Sequence, residues 1–312
     1  MKPEVILVGP LMDSVMAELD RAYDVHRLYA ASDRDKLIEE VAPRIRAVAT
    51  DGALGAGKSL LSRLPKVEMV GIFGVGLDAV DLDYARSRSI TVTNTPDVLT
   101  DDVADLALML LLCVARRQIE ADRFVRDGKW GKEGLPLAHR FSGKRVGILG
   151  LGRVGRAVVK RCLAFDCSIA FVDPFAPDQP GLTRHDSLVA MSAEVDYLVV
   201  TAAGGAGTGK LVNAEVLEAL GPEGALINVS RGSIVDEAAL VAALQSGRLG
   251  AAGLDVFADE PNAPSALFTM DNVVLTPHRA SATVETRAAM GRLMLDNLAA
   301  HFAGEQLLTP VN

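Results

Sequence analysis

Two doubly wound parallel-sheet domains of the α/β class are predicted for this chain. Three observations predict them. Apolar runs of strand length alternate with helical patterns along nearly the whole sequence, the alternation restarts near residue 145, and 312 residues are enough for two domains.

The first series opens with a strand at Val5–Val8, followed by a helical pattern over Met12–Leu19 and a strand at "IRAVATDG", Ile45 to Gly52. "VEMVGIFGVG" and "ITVTNTP" follow at similar intervals. The segment "DDVADLALMLLLCVARR" is apolar on every side from Leu106 to Ala115, which predicts a helix buried all round, as at a seam between domains. The second series runs through "RVGILGLG", "SIAFVD", "DYLVVTA", "GALINVS", "AAGLDV" and "NVVLTP". The last segment, "TVETRAAMGRLMLDNLAAHFAG", has a helical pattern that stops at Gly304.

Composition narrows the class. With 49% hydrophobic and 23% charged residues the chain reads as an ordinary soluble globular protein. A net charge of -8 without a Lys/Arg cluster argues against nucleic acid and anionic membranes as partners. Cys113, Cys162 and Cys167 form neither a CxxC pair nor an even set, so a reducing compartment is expected. The start "MKPEVILVG" offers no signal-peptide run, and the ten apolar residues from Leu106 fall short of the ~20 that span a bilayer. A cytoplasmic protein is the expectation. No His/Cys/Asp cluster has ligand spacing, so no metal is expected.

"VGILGLGRVGRAVVKR" places Gly150, Gly152 and Gly155 in G-x-G-x-x-G, after a strand and before a helical pattern. Gly150 permits the tight turn, Gly152 lets backbone N–H groups approach a pyrophosphate, and Gly155 lets helix and strand pack closely. Asp173 closes the next strand about 20 residues on, where a carboxylate accepts the ribose hydroxyls of a dinucleotide. These three features together predict a Rossmann domain binding NAD. A flavodoxin-like fold with an unused glycine turn is the alternative.

Three candidates for chemistry lie just past later strands: Arg231 in "LINVSRGSIVDE", Glu260 in "GLDVFADEP" and His278 in "LTPHRAS". Reducing a 2-keto acid needs a cation on the carboxylate and a proton donor for the carbonyl oxygen. Arginine suits the first through its planar fork, and histidine suits the second because it changes charge near neutrality. Taken singly, Arg231 also reads as a surface arginine, Glu260 as a loop carboxylate and His278 as a capping histidine.

Taken together, "GLGRVG", "NVSRGSIVDEAALVAAL", "GAAGLDVFADEP" and "LTPHRASAT" resemble the D-isomer-specific 2-hydroxyacid dehydrogenases in order and spacing, over essentially the full length. The resemblance implies that Arg231 binds the substrate's carboxylate and carbonyl, that Glu260 supports the histidine and that His278 is the acid/base. It adds Val75 and Gly76, in "FGVGLDAVD", as backbone donors to the carboxylate, and Ser281 beside the substrate. Its cofactor contacts are Gly150, Gly152, Arg153, Val154, Gly155, Asp173, Ala203, Val229, Asp255 and Ala280. The family fold implies a flavodoxin-like substrate domain over residues 1–99 and 285–312, closing on a Rossmann domain over residues 100–284, and a homodimer. "RDGKW", "FSGKRVG" and "LLTPVN" look nearest to glyoxylate/hydroxypyruvate reductases, including those acting on hydroxyphenylpyruvate. The implied activity is reduction of a small 2-keto acid by NAD(P)H.

The chain also departs from the pattern. "GGAGTGK" follows "LVVTA" in place of a Leu-Thr-Pro-like turn, and "HRAS" replaces the commoner His-x-Gly-Ser, which puts Arg279 beside His278. With Asp173 at the ribose position and no cation in Pro174–Pro177, NADH is expected in preference to NADPH, while NADP remains possible. A dinucleotide-sensing, corepressor-like binding protein on the same fold is the second functional reading.

Overall fold

Every named strand pairing in the protein is parallel. A computed structural model describes residues 2–205 and 207–312. The chain divides into two compact units, one up to Leu99 together with Ser281–Asn312, the other Thr100–Ala280. The return to the first unit thus falls four residues before the expected 284/285 seam.

In the first unit, strands β1 (Glu4–Leu7), β2 (Asp24–Arg27), β3 (Ile45–Asp51), β4 (Met69–Phe73) and β5 (Thr91–Thr93) form one sheet in the order β2-β1-β3-β4-β5. This is the flavodoxin-like order. Helices α1 (Asp13–Ala22), α2 (Arg34–Val41), α3 (Lys58–Leu61) and α4 (Leu82–Ser87) connect the strands. Alternate residues of β1 enter opposite cores: Ile6 packs with Val48, Val70 and Val92, while Val5 and Leu7 pack with Ala47 and Ala49. The final helix, α11 (Val284–Ala303), lies on the second of these faces through Met290, Met294 and Leu298. Over Gly71 it comes to ordinary packing distance, with Met294 Cγ 3.5 Å from where a Cβ would stand.

The second unit opens with α5 (Thr100–Ala115) and α6 (Gln118–Arg126). Its strands are β6 (Arg145–Leu149), β7 (Ser168–Val172), β8 (Thr183–Arg184), β9 (Tyr197–Val200), β10 (Ala225–Asn228), β11 (Ala251–Leu254) and β12 (Val273–Leu275). The sheet order is β12-β11-β10-β9-β6-β7-β8, and the direction of winding reverses between β6 and β9. That reversal is the switch point at which open α/β sheets bind ligands, beyond the carboxyl ends of the strands. Helices α7 (Arg153–Leu163), α8 (Leu188–Glu194), α9 (Ala214–Leu220) and α10 (Glu237–Gln245) complete the unit. No helix among the described residues is long and apolar enough to cross a membrane.

One expectation is corrected. Helix α5 is not buried all round: Val103, Ala104, Ala107, Leu110, Leu111 and Ala115 are buried, but Met109 is exposed. The helix packs on β10, β11 and α7, so its inward face is set by that sheet and helix and its far side stays uncovered. Gly253 of β11 receives it, with Leu110 Cβ 3.0 Å from where a Cβ would stand.

The far end of α11 is clipped to the first sheet by charge. Arg46 donates two hydrogen bonds to Glu68, at 2.9 and 2.8 Å, and His301 Nε2 lies 3.0 Å from the same carboxylate. Hydrogen bonding from Arg46 holds the Glu68 carboxyl below its ordinary 4.5, against burial and with help from His301. A depressed carboxylate stabilises the fold above its unfolded value and loses that contribution as pH falls through the folded value. Glu68→Gln should therefore be destabilising at neutral pH, with the gap to wild type closing in urea titrations as pH falls below the ordinary 4.5 and through the lower folded value. A gap independent of pH would contradict this.

Candidate active site

The glycine loop follows β6 directly. Gly150 has φ +94°, and a Cβ there would lie 2.5 Å from Ala202 Cα. At Gly155 a Cβ would stand 2.2 Å from Gly150 O, so only glycine lets α7 pack this closely on the turn. Gly152 is the opposite case. Nothing lies within 4 Å of its missing Cβ, and as N-cap it offers no side chain to the first N–H groups of α7. The result is an open cradle of backbone donors at a helix N-terminus, which fits a pyrophosphate. Arg153 and Val154 form the first turn of α7, beside that opening.

Asp173 closes this loop from the neighbouring strand. Its Oδ2 accepts from Leu151 N at 2.7 Å, and its Oδ1 accepts from Phe175 N and Ala176 N at 2.8 and 3.1 Å. The turn carries a cation that the sequence around residues 174–177 does not reveal. Arg184, on β8, donates to Ala176 O at 2.7 Å and to Asp173 O at 3.3 Å. A hydrogen bond from a strand eleven residues away has no local sequence signal. Ala203 begins the glycine-rich loop after β9, where its carbonyl accepts from Thr208 Oγ1 at 3.1 Å. Ala206 of that loop lies outside the described residues.

Three loops meet beyond the carboxyl ends of β10, β11 and β12. Arg231 starts the turn after β10, and its Nη1 donates to Ser230 O at 2.7 Å. Buried Asn228 fixes this loop from within: its Nδ2 donates to Arg231 O and its Oδ1 accepts from Ser230 N. Val229, between them, is buried. Gly232 brings the loop against the next one, since a Cβ there would overlap the Phe257 carbonyl carbon at 1.9 Å.

The second loop holds Asp255, which has no exposed surface. Its carbonyl accepts from His278 N at 2.7 Å. Its Oδ1 accepts from Thr276 Oγ1 at 2.6 Å and from Arg279 N at 2.8 Å, and its Oδ2 accepts from Ala280 N at 2.9 Å. Burial pushes the Asp255 carboxyl up, and these three donors oppose that rise. Asp255 and Ala280 are both expected cofactor contacts. The geometry adds a task that spacing alone does not show, the bracing of residues 276–280.

His278 sits on that braced turn with φ +50°, a left-handed conformation that non-glycine residues seldom adopt. Its Nδ1 lies 2.6 Å from Glu260 Oε2, and Glu260 Oε1 accepts from Phe257 N at 3.1 Å. Both carboxylate oxygens of Glu260 are thus engaged. With Nδ1–H donated to Glu260, Nε2 is the outward nitrogen, and it has no partner among the described residues. A ring oriented by a carboxylate at one nitrogen and open at the other can pass a proton to a bound oxygen.

The first unit holds the remaining expected positions. Gly74, with φ +149°, turns the chain after β4. Thr95 Oγ1 then accepts from Gly74 N, and Asn94 Nδ2 donates to Val75 O, both at 3.0 Å. The N–H groups of Val75 and Gly76 have no partner among the described residues, which leaves two adjacent donors on a fixed loop. Ser281 opens the returning segment and is half-buried.

Residues 108–280 match the family described as D-isomer specific 2-hydroxyacid dehydrogenase, NAD binding domain. The chain is 47% identical to hydroxyphenylpyruvate reductase from Plectranthus scutellarioides, with 98% of each chain covered. It is 45% identical to glyoxylate/hydroxypyruvate reductase A from Arabidopsis thaliana, again with 98% of each covered. Among solved structures, a 2-hydroxyacid dehydrogenase from Ketogulonicigenium vulgare Y25 superposes with a TM-score of 0.94 at 50% identity, covering 100% of this chain and 99% of the other. The NADPH-dependent glyoxylate/hydroxypyruvate reductase of Sinorhizobium meliloti, in complex with NADP and malonate, gives 0.92 at 43% identity, with 100% and 97% covered. In sequence over nearly its whole length, and in fold, this chain belongs to the D-isomer specific 2-hydroxyacid dehydrogenase family.

Proposed function

We propose that the protein reduces small 2-keto acids of the glyoxylate or hydroxypyruvate type to D-2-hydroxy acids, using NADH or NADPH. The observation that carries this reading is the His278–Glu260 pair on a turn braced by Asp255, with the Arg231 loop packed against the loop before it. When bound, the nicotinamide cofactor supplies the hydride that the keto carbon accepts. The chain's own residues do the rest. The turn at Gly150 and the open N-terminus at Gly152 hold the pyrophosphate, Gly155 seats α7 on that turn, and Asp173 takes the adenosine ribose hydroxyls. Arg231 grips the substrate carboxylate and polarises the keto group with its fork, and the Val75 and Gly76 N–H groups add donors to that carboxylate. His278 gives its outward proton to the oxygen as it becomes an alkoxide, while Glu260 holds the ring and stabilises its charge. Close relatives named as glyoxylate/hydroxypyruvate and hydroxyphenylpyruvate reductases support this substrate class. They lend nothing to the corepressor-like alternative.

NADH is the proposed preference. The Asp173 carboxylate is pinned by three backbone N–H groups, so swinging it away from a 2′-phosphate would break all three. Arg184 donates to two carbonyls of the same turn and to Asp178. A like charge held in place can cost several kcal/mol. The relative from Sinorhizobium meliloti, by contrast, is NADPH-dependent.

A homodimer is the proposed assembly. Met109 is exposed on α5, and Trp130 and Leu137 are 78% and 93% exposed on the segment that follows α6. These uncovered apolar side chains are ones that a second copy would bury.

Two measurements check these statements. NADH oxidation followed at 340 nm should reveal turnover of glyoxylate and hydroxypyruvate, with kcat/KM for NADH at least about tenfold above that for NADPH, equivalent to ~1.4 kcal/mol. Asp173→Ser should narrow that gap. Absence of turnover with either cofactor would overturn the activity, and a wild type favouring NADPH would overturn the preference. Sedimentation should give twice the 33.0 kDa of one chain, and a monomer at micromolar concentration would contradict the dimer.

A further inference from the structure

The chemistry proposed above uses Arg231 as its cation and leaves Arg279 unexplained. Arg279 follows His278 directly and is exposed. Its backbone N–H is fixed on Asp255 Oδ1 at 2.8 Å, so its backbone is held by the brace that holds His278. Its side chain has no hydrogen-bond or ion-pair partner among the described residues. Other arginines of this unit are paired: Arg145 with Asp196, and Arg161 with both Asp101 and Asp105.

The carboxylates nearest to it along these loops are already engaged. Glu260 bonds His278 and Phe257 N, and buried Asp255 bonds Thr276 and two backbone N–H groups. Consecutive Cα atoms are about 3.8 Å apart, so this unneutralised guanidinium is carried on the same exposed turn as the proton donor. An exposed cation there attracts anions to the reacting centre. Arg231 cannot use that attraction to discriminate, because every 2-keto acid presents it with the same C1 carboxylate. A second cation can, because it senses charge elsewhere on the substrate.

We infer that Arg279 is a specificity-determining residue that favours dianionic 2-keto acids, those carrying a second carboxylate or a phosphate away from the keto carbon. The inference rests on the reductase reading above. Its fork geometry suits either anion.

The test compares substrates matched in length: oxaloacetate against 2-oxobutanoate, and 2-oxoglutarate against 2-oxopentanoate. The quantity read is the ratio of kcat/KM, diacid over monoacid. Wild type should favour the diacid by at least about tenfold at low salt, and Arg279→Met should lower the ratio by a similar factor, ~1.4 kcal/mol. Arg279→Lys, which keeps the charge, should retain most of it. In wild type alone, raising ionic strength from about 0.02 to about 0.5 M should shrink the ratio, which keeps the inference testable if a variant misfolds. A ratio unmoved by Arg279→Met or by salt overturns it. If glyoxylate is reduced but the diacid preference is absent, only the role of Arg279 fails. If no keto acid is reduced, the reductase reading fails and takes this inference with it.

Discussion

The buried carboxylate of Asp255 is the constraint on which the rest of the site depends. It sits at the carboxyl end of β11, and its own N–H is bonded to Asn228 O of β10 at 2.9 Å. From there its carbonyl and side-chain oxygens reach Thr276, His278, Arg279 and Ala280 after β12. A carboxylate taken out of water is costly unless its lone pairs are met. Here three donors meet them. The reverse also holds: without Asp255, those donors would lose their partner at about 1–3 kcal/mol for each one left buried. Carboxylate and turn therefore stabilise one another.

That mutual support explains how His278 stays in a left-handed conformation. For a residue with a side chain this conformation costs roughly 1–2 kcal/mol, and it persists only where neighbouring bonds over-determine it. Glu260 adds the last restraint, fixing the ring about its remaining torsions through Nδ1. Close backbone approach also requires glycine at two of the contacts between these loops and helices. Gly232 lets the Arg231 loop touch the loop that carries Glu260, and Gly155 seats α7 against the phosphate turn. The parallel sheet supplies the common frame, since β10, β11 and β12 end on one edge.

Most of this frame is legible in the sequence because periodicity and glycine spacing are local signals. The apolar runs after residue 145 become β6, β7, β9, β10, β11 and β12 in the order expected. Strand β2 is not legible: "DVHR" has one aliphatic residue in four and is a strand only through its pairing with β1. Two-residue β8 is exposed and carries no apolar pattern, yet it brings Arg184 to the Asp173 turn. The exposed far side of α5 is not legible either, because apolarity reports the preference of a helix for burial, not what covers it. The bracing by Asp255 and Asn228 is hidden for another reason. It runs through hydrogen bonds between side chains and backbone across loops, and spacing along one strand does not encode those.

The central claim is that Glu260 acts through His278. A double-mutant cycle in kcat for glyoxylate reduction tests it most directly, with His278→Gln, Glu260→Gln and the pair, and with NADH affinity measured in parallel. The account predicts that His278→Gln lowers kcat by roughly 10²–10⁴ while NADH affinity holds. Adding Glu260→Gln to that variant should then change kcat by less than about twofold, because no imidazole remains for the carboxylate to hold. Losses that multiply across the cycle would contradict the account, and would make Glu260 an independent participant in the chemistry.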